Sequence, residues 1–241
     1  MTCFERSPLL PRDTIQARFA ALIDAVERAD SASQLLQATR TLAQTLSDLR
    51  QDSPAEPPPV DALACLVRIL GFNNPGAAVA AVEGLIACGP DAVAVLLGGL
   101  DDRNYGAKAW AVRALAGIGD VRGLAILEQA LADDVGPSVR RAAAIGMGTL
   151  RVSHLAPEHR QTVRQRSLSA LQGASKDSEW VVRYAVAAAL EKLCMELQAR
   201  ERICDEALST LNILADIERE DVPVVRLRAR LALNRLLSPR A

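Results

Sequence analysis

Aromatic residues are scarce in this sequence. Two Trp, two Tyr and three Phe make up 3% of 241 residues, although half of all residues are apolar. A sheet core of this size draws on β-branched and aromatic side chains, whereas Ala and Leu favour helices and let them approach closely. The shortage argues for an all-α fold filled by Ala, Leu and Val. A dominant charge sign is also missing, with 28 Lys and Arg against 29 Asp and Glu. Nucleic-acid binders carry a basic excess, so no nucleic-acid partner is expected. Only the C-terminal stretch is basic: Arg226, Arg228, Arg230, Arg235 and Arg240, with no acid after Asp221. It reads first as a solvated helix face and tail, and second as an anionic docking site.

Other absences narrow the chemistry. The five cysteines, Cys3, Cys65, Cys88, Cys194 and Cys204, are odd in number and scattered, with no Cys-x-x-Cys pair. That gives no disulfide or metal framework and fits a reducing cytosol, where Cys65, Cys88 and Cys194 serve as small hydrophobes in apolar runs. No apolar run reaches the roughly 18 residues that a membrane span needs. The start, MTCFERSPLLPRDT, lacks the basic and then apolar pattern of a signal peptide, so a cytoplasmic protein is expected. The only histidines, His154 and His159, are five apart and would not share a helix face. Gly98-Gly99 is not followed by the Lys-Ser/Thr of a phosphate loop, and no Gly-x-Ser-x-Gly elbow occurs. Neither a metal, a cofactor nor a catalytic triad is expected. An enzyme built on this chain would work by holding a reactive molecule.

What the sequence has is repetition. The stretch Leu70-Gly71-Phe72-Asn73-Asn74-Pro75-Gly76 aligns with Leu100-Asp101-Asp102-Arg103-Asn104-Tyr105-Gly106, and the match continues through Ala77/Ala107, Ala81/Ala111, Leu85/Leu115 and Gly89/Gly119. Further copies begin near Asp133, Lys176 and Glu220, in a unit of about 30 residues with longer connections later. Within one unit, Ala107, Trp110, Ala111, Ala114, Leu115 and Ile118 form a helical stripe. Gly117 and Gly119 stop that helix, and Asp120 is placed to cap the next, which runs through Leu124, Leu127 and Leu131. Each unit is thus a helix, a turn and a second helix, unable to cover its own apolar face, and neighbours must stack. The expectation is a right-handed α-solenoid of HEAT-like repeats over residues 60–241. Residues 1–50 would form an N-terminal helical cap, with helices over 13–29 and 32–50 joined at Asp30-Ser31 and a loosely ordered first dozen residues. A Pro-rich linker would span 51–59.

Repetition also lines up polar positions. Asn74, Asn104, Asp134, Asp177 and Asp221 precede the equivalent helices, and Lys108, Arg140, Arg183 and Arg226 lie one turn into them. These two ladders read structurally as caps and inter-repeat ion pairs, and functionally as a clasp for an anionic ligand. Four of the seven aromatics, Tyr105, Trp110, Trp180 and Tyr184, fall in or at these helices and could form a platform for a conjugated ligand. Trp110 lies on the apolar stripe and faces the core on the plainer reading, and Tyr105 is the more accessible. On the last helix Val224, Leu227, Leu231 and Leu236 read as core, with a docking stripe as the alternative.

The strings Gly71-Phe72-Asn73-Asn74-Pro75-Gly76-Ala77-Ala78 and Asn104-Tyr105-Gly106-Ala107-Lys108-Ala109-Trp110-Ala111, with Ser138-Val139-Arg140-Arg141-Ala142-Ala143 and Ala25-Val26-Glu27-Arg28-Ala29-Asp30-Ser31, resemble the phycobilisome-lyase type of HEAT repeat. The likeness is to the smaller, F-type subunit of the heterodimeric E/F bilin lyases. The resemblance implies attachment of an open-chain tetrapyrrole, a phycobilin, through a thioether to a cysteine of a phycobiliprotein subunit, the phycocyanin or phycoerythrin alpha chain. It implies an E-type lyase subunit as partner and the phycobilin as substrate rather than cofactor. On that basis Lys108, Arg140 and Arg183 are expected to hold propionates, Asp134 and Asp177 to bond ring nitrogens, and Tyr105 and Trp110 to pack on the rings. Related lyases that also isomerise the bilin carry a His-Cys pair in the region of Asn104-Tyr105-Gly106. This chain has no adjacent His and Cys, so attachment without isomerisation is expected. Two other readings compete: a non-catalytic chaperone or adaptor for phycobiliprotein subunits in assembly or degradation, and an unrelated HEAT scaffold.

Overall fold

A computed structural model describes residues 12–100, 103–195 and 202–238. The expectation for the first dozen residues, and those resting on Cys3, Asp101, Asp102 and Arg240, lie outside the described residues, apart from Arg12, where the first helix begins. The chain folds as two compact units, the first ending at Ala114 and the second starting at Leu115. The first contains α1 (Arg12–Glu27), α2 (Ala32–Asp52), α3 (Val60–Ile69), α4 (Pro75–Cys88), α5 (Asp91–Gly98) and most of α6 (Tyr105–Ile118). The second holds the end of α6, a 3-10 turn (Val121–Gly123), α7 (Leu124–Asp133), α8 (Pro137–Met147), α9 (Pro157–Ala174), α10 (Trp180–Met195), α11 (Arg202–Ala215) and α12 (Pro223–Leu237).

Each unit is layered in the way a helical hairpin repeat requires. In the first, α2 packs on α4 while α1, α3 and α5 lie side by side behind them; in the second, α8, α10 and α12 form one layer and α7, α9 and α11 the other. The helices start where the sequence supplies caps. Ser31 Oγ accepts from Gln34 N (3.2 Å), Asn74 Oδ1 from Ala77 N (3.1 Å) and Asn104 Oδ1 from Ala107 N (3.0 Å). Pro occupies the first position of α4, α8, α9 and α12, where its missing N–H has no helical partner to lose.

The stop of α6 falls on Gly119 alone, because Gly117 lies inside the helix. Gly119 has φ +68, and a Cβ there would approach Thr149 O to 2.7 Å, so only glycine fits. Asp120 caps the following turn as expected, its Oδ1 accepting from Arg122 N at 2.9 Å. Its carboxyl lies below the ordinary range, chiefly through the Arg122 side-chain hydrogen bond.

The core explains the aromatic shortage. Ala77, Ala78, Ala81, Ala111, Ala114, Ala143 and Ala144 are almost wholly buried, interleaved with Leu63, Leu66, Leu85, Leu115 and Leu127. Helices built this way run close together: a Cβ on Gly148 would lie 2.6 Å from Ala189 Cα. Cys65, Cys88 and Cys194 are buried as small hydrophobes, and so is Cys204. Burial pushes the Cys88 thiol up to about 11. Among the described residues no helix is long and apolar enough to cross a membrane.

Candidate functional site

The single row of Asn and Asp expected from the repeats is two rows in the structure. Asn74 and Asn104 are the residues immediately before α4 and α6, and each also reaches back one repeat, Asn74 Nδ2 donating to Ala32 O (2.8 Å) and Asn104 Nδ2 to Gly71 O (3.3 Å). Asp134 and Asp177 sit three residues before the first helical residue, where their side chains accept from Gly136 N (2.8 Å) and Glu179 N (2.9 Å). Their counterpart before α12 is Glu220, whose Oε1 accepts from Val222 N (2.9 Å); the expectation of Asp221 is corrected by one residue.

This acid row binds the Arg ladder. Arg140 clasps Asp177 in a two-pronged ion pair (2.7 and 2.9 Å), and its Nη1 donates to Asp134 O (2.7 Å) and Val135 O (3.3 Å). Arg183 repeats the pattern one unit on, with Glu220 at 2.7 and 2.8 Å and with Asp177 O (2.8 Å) and Ser178 O (3.1 Å). Both pairs are largely withdrawn from water. For Asp177 and Glu220 desolvation by burial raises the carboxyl, but the Arg hydrogen bond, a backbone N–H and the guanidinium charge together lower it further. Arg140 and Arg183 are pushed up mainly by these hydrogen bonds. Arg140, Asp177 and Arg183 thus join successive repeats and Asp134 holds the loop before α8, the structural one of the two roles expected of these ladders.

The basic C-terminal helix is the expected solvated face only in part: Arg230 and Arg235 are exposed, whereas Arg226 and Arg228 are half-buried. Glu191, 3% exposed on α10, holds Arg228 (2.6 Å) and Arg235 (3.1 Å) of α12. Arg226 donates to Glu220 O (2.6 Å). Val224, Leu227 and Leu231 are exposed and Leu236 half-buried, so this stripe is surface where core packing was expected.

The other expected site residues of the first unit lie on α6. Tyr105 opens the helix and is 48% exposed. Lys108 lies one turn on, half-buried. Trp110 is only partly buried, with the Arg113 guanidinium 4.6 Å over its ring, a cation–π contact. Trp180 and Tyr184, in the second unit, are exposed and half-buried. A groove of about 490 Å³ opens between α3, the end of α5 and the start of α6. Ala64, Val67, Gly71, Gly98, Gly99 and Ala107 line it, with Arg68 and Asn104 as its polar members. Arg68 is held by Glu27 (2.7 Å). A floor of such small side chains admits a flat ligand close to the backbone. The sequence alone did not reveal this groove, because Gly98-Gly99 was weighed only as a phosphate loop; the paired glycines about one repeat after Gly71 were the available signal. Among the described residues no cluster of His, Cys, Asp and Glu could hold a metal.

Comparison with known proteins places the architecture and the chain. Residues 73–148 match the family model for HEAT repeats. Phycocyanin alpha phycocyanobilin lyase CpcF of Synechocystis sp. strain PCC 6803 is 49% identical over 177 residues, 73% of this chain and 77% of that one. Bilin biosynthesis protein RpcF of Synechococcus sp. strain WH8020 is 43% identical over 213 residues, 88% of this chain and 93% of that one. Among solved structures, the complex of CpcE and CpcF of phycocyanin lyase from Nostoc sp. PCC7120 matches at 38% identity with a TM-score of 0.64, covering 72% of this chain and 99% of the matched one. The fold class is that read from the sequence, an all-α solenoid type of HEAT-like repeats, and the chain belongs to the family of F-type phycobilin lyase subunits.

Proposed function

We propose that this chain, paired with an E-type lyase subunit in the cytoplasm, binds phycocyanobilin and presents it to a cysteine of a phycocyanin alpha subunit. The pigment is a substrate and no cofactor takes part. In the reaction the acceptor thiolate adds to the ethylidene group of the bilin; a carbon–sulfur bond forms, the double bond is consumed, and a proton is taken up at the neighbouring ring carbon. No group of this chain need act as nucleophile. Its contribution is geometric: holding the reacting carbon against the thiolate supplies up to several kcal/mol of the barrier, roughly as in other positioned pairs.

The observation that carries the reading is the groove of small residues at the start of α6, in a chain of this family. A tetrapyrrole is flat and apolar in its middle and carries two propionates. The glycine floor accepts the rings, Tyr105 stacks on them, Lys108 pairs with a propionate, and Trp110 is the third contact on α6. The ion-pair ladder of Arg140, Asp177 and Arg183 acts on the second unit alone, keeping its repeats in register. Helices α1 and α2 serve as the cap of the array.

The test is reconstitution. The purified chain, an E-type partner, phycocyanobilin and apo-phycocyanin alpha subunit should together give a covalent, fluorescent product with the mass of one added bilin. Its absorbance should shift only as far as loss of the ethylidene double bond requires, because no isomerisation accompanies attachment. Tyr105→Ala should lower the yield several-fold. No adduct above that formed without the chain would reject the proposal.

A further inference from the structure

We infer that Arg226 on α12, the last arginine of the ladder, is an open clasp for a carboxylate on an acidic segment of a partner protein. The clasp belongs to the second unit and does not depend on the bilin reading.

The arginines of the row are built alike. Each pins Nη1 on the main-chain oxygen six residues earlier: Arg140 on Asp134 O (2.7 Å), Arg183 on Asp177 O (2.8 Å) and Arg226 on Glu220 O (2.6 Å). The pin orients the guanidinium and leaves its other edge, Nε with Nη2, for the next repeat. There Arg140 receives Asp177 and Arg183 receives Glu220, each two-pronged. Among the described residues α12 is the last helix, and no acceptor meets Nε or Nη2 of Arg226. Neither atom is sealed from water, unlike Nη1 of the neighbouring Arg228.

The acids nearby do not fill the clasp. Glu220 and Asp221 hold Arg183 (2.7 and 3.2 Å), and Asp216 holds Arg219 (3.7 Å). Glu218 is exposed and forms no ion pair with Arg226.

Two further positions select the occupant. Ile217, three residues before Glu220, is 65% exposed, whereas Leu131 and Ala174, at the same place before Asp134 and Asp177, are 3% and 8% exposed. Arg230, one turn beyond Arg226, is exposed, whereas its counterparts Ala144 and Ala187 are fully buried. An arginine in place of those alanines keeps a further helix from stacking as α10 and α12 do, so another tightly packed repeat does not fit. An extended acidic segment does. Arg226 and Arg230 share a helix face about 6 Å apart along the axis, and side chains two residues apart on an extended strand are about 7 Å apart. Guanidiniums take such carboxylates two-pronged, and Ile217 offers an apolar contact in the loop before α12. The protein carries a motif of this kind itself, Asp177-Ser178-Glu179, whose first acid is the one that Arg140 binds.

The test is fluorescence anisotropy of a fluorescein-labelled peptide copying Lys176–Val182, with the full chain at low salt. Binding should be saturable and at least about tenfold tighter than for a control peptide with Asn and Gln in place of the two acids. Arg226→Gln should weaken it at least about tenfold, while Arg141→Gln, which removes an exposed charge from α8, leaves it within about twofold. Should Arg226→Gln lose the fold along with its bond to Glu220 O, Arg230→Glu serves instead. Its carboxylate, one turn from Arg226, fills the clasp from within and should weaken binding by at least the same factor. No saturable binding by the intact chain, unchanged binding in both α12 variants, or an equal loss with Arg141→Gln would each overturn the proposal. Displacement by glutarate at the peptide's own concentration would overturn it in favour of a site for small dicarboxylates. Self-association of the chain that Arg226→Gln abolishes, seen by sedimentation, would overturn it in favour of a second copy.

Discussion

Replacing Arg183 with Met tests how the repeats of the second unit are held together. The guanidinium makes five hydrogen bonds of 2.7–3.2 Å to Glu220, Asp221, Asp177 O and Ser178 O, with its side chain 13% exposed and that of Glu220 3% exposed. Met fills similar volume but leaves the carboxylate buried without its cation. Removing one partner of a buried pair costs about 3–5 kcal/mol, whereas an exposed pair is worth about 1 kcal/mol or less. The slight exposure of Arg183 places the expected loss near the lower end, about 3 kcal/mol. The double variant Arg183→Met with Glu220→Gln should recover part of that loss, since no buried charge is then stranded.

The pH dependence gives a second handle. Burial raises the Glu220 carboxyl, and its bonds to Arg183 and to Val222 N outweigh that, so its folded pKa lies below the unfolded one. Stabilisation from such a group is complete above the unfolded value of about 4.3 and is lost as pH falls through the folded value. Urea unfolding followed by circular dichroism at 222 nm, from neutral to acid pH, should show the gap between parent and Arg183→Met largest at neutrality and closing in acid. A gap below about 1 kcal/mol, the size of a surface pair, or one that does not change with pH, would refute the reasoning.

Glu191→Ala should destabilise the second unit by about 3 kcal/mol, because it strands the largely buried Arg228 beside a cavity; thermal unfolding reads the loss, at about 2–4 °C per kcal/mol in a chain of this length. Gly119→Ala should cost more than about 2 kcal/mol, adding a left-handed backbone penalty to a Cβ contact at 2.7 Å from Thr149 O. Cys88, whose thiol burial pushes up to about 11, should resist iodoacetamide at pH 8 in the native chain and react after denaturation, as mass spectrometry of the digest would show.

Features that depend on one helix and its ends could be read from the sequence. The stripe from Ala107 to Ile118, the caps at Ser31, Asn74, Asn104 and Asp120, and the stop at Gly119 are local, set by spacing and by the backbone needs of single residues. Alignment of Asn104 with Asp134 misled because the two solve the same problem from different positions. Asn104 caps from the residue before the helix, while Asp134 bonds its loop from two residues earlier. The acid row is regular all the same: Asp134, Asp177 and Glu220 are spaced like Arg140, Arg183 and Arg226, and that spacing points to Glu220 over Asp221. The pairing of Glu191 with Arg228 and Arg235 joins helices about 40 residues apart and has no local signature. The groove at the start of α6 was least legible, since it is formed by side chains that are absent, at Gly71, Gly98 and Gly99, on segments from successive repeats.

Gly98 offers the most direct test that this groove cradles the bilin. A Cβ there meets nothing within 4 Å, so Gly98→Leu should fold normally and occupy groove space. Fluorescence titration of phycocyanobilin into the complex of the chain with its E-type partner should then give an affinity at least about tenfold weaker than the parent's, roughly the effect of one misplaced side chain in a fitted pocket. An unchanged affinity in a variant with the parent's melting temperature would place the pigment elsewhere.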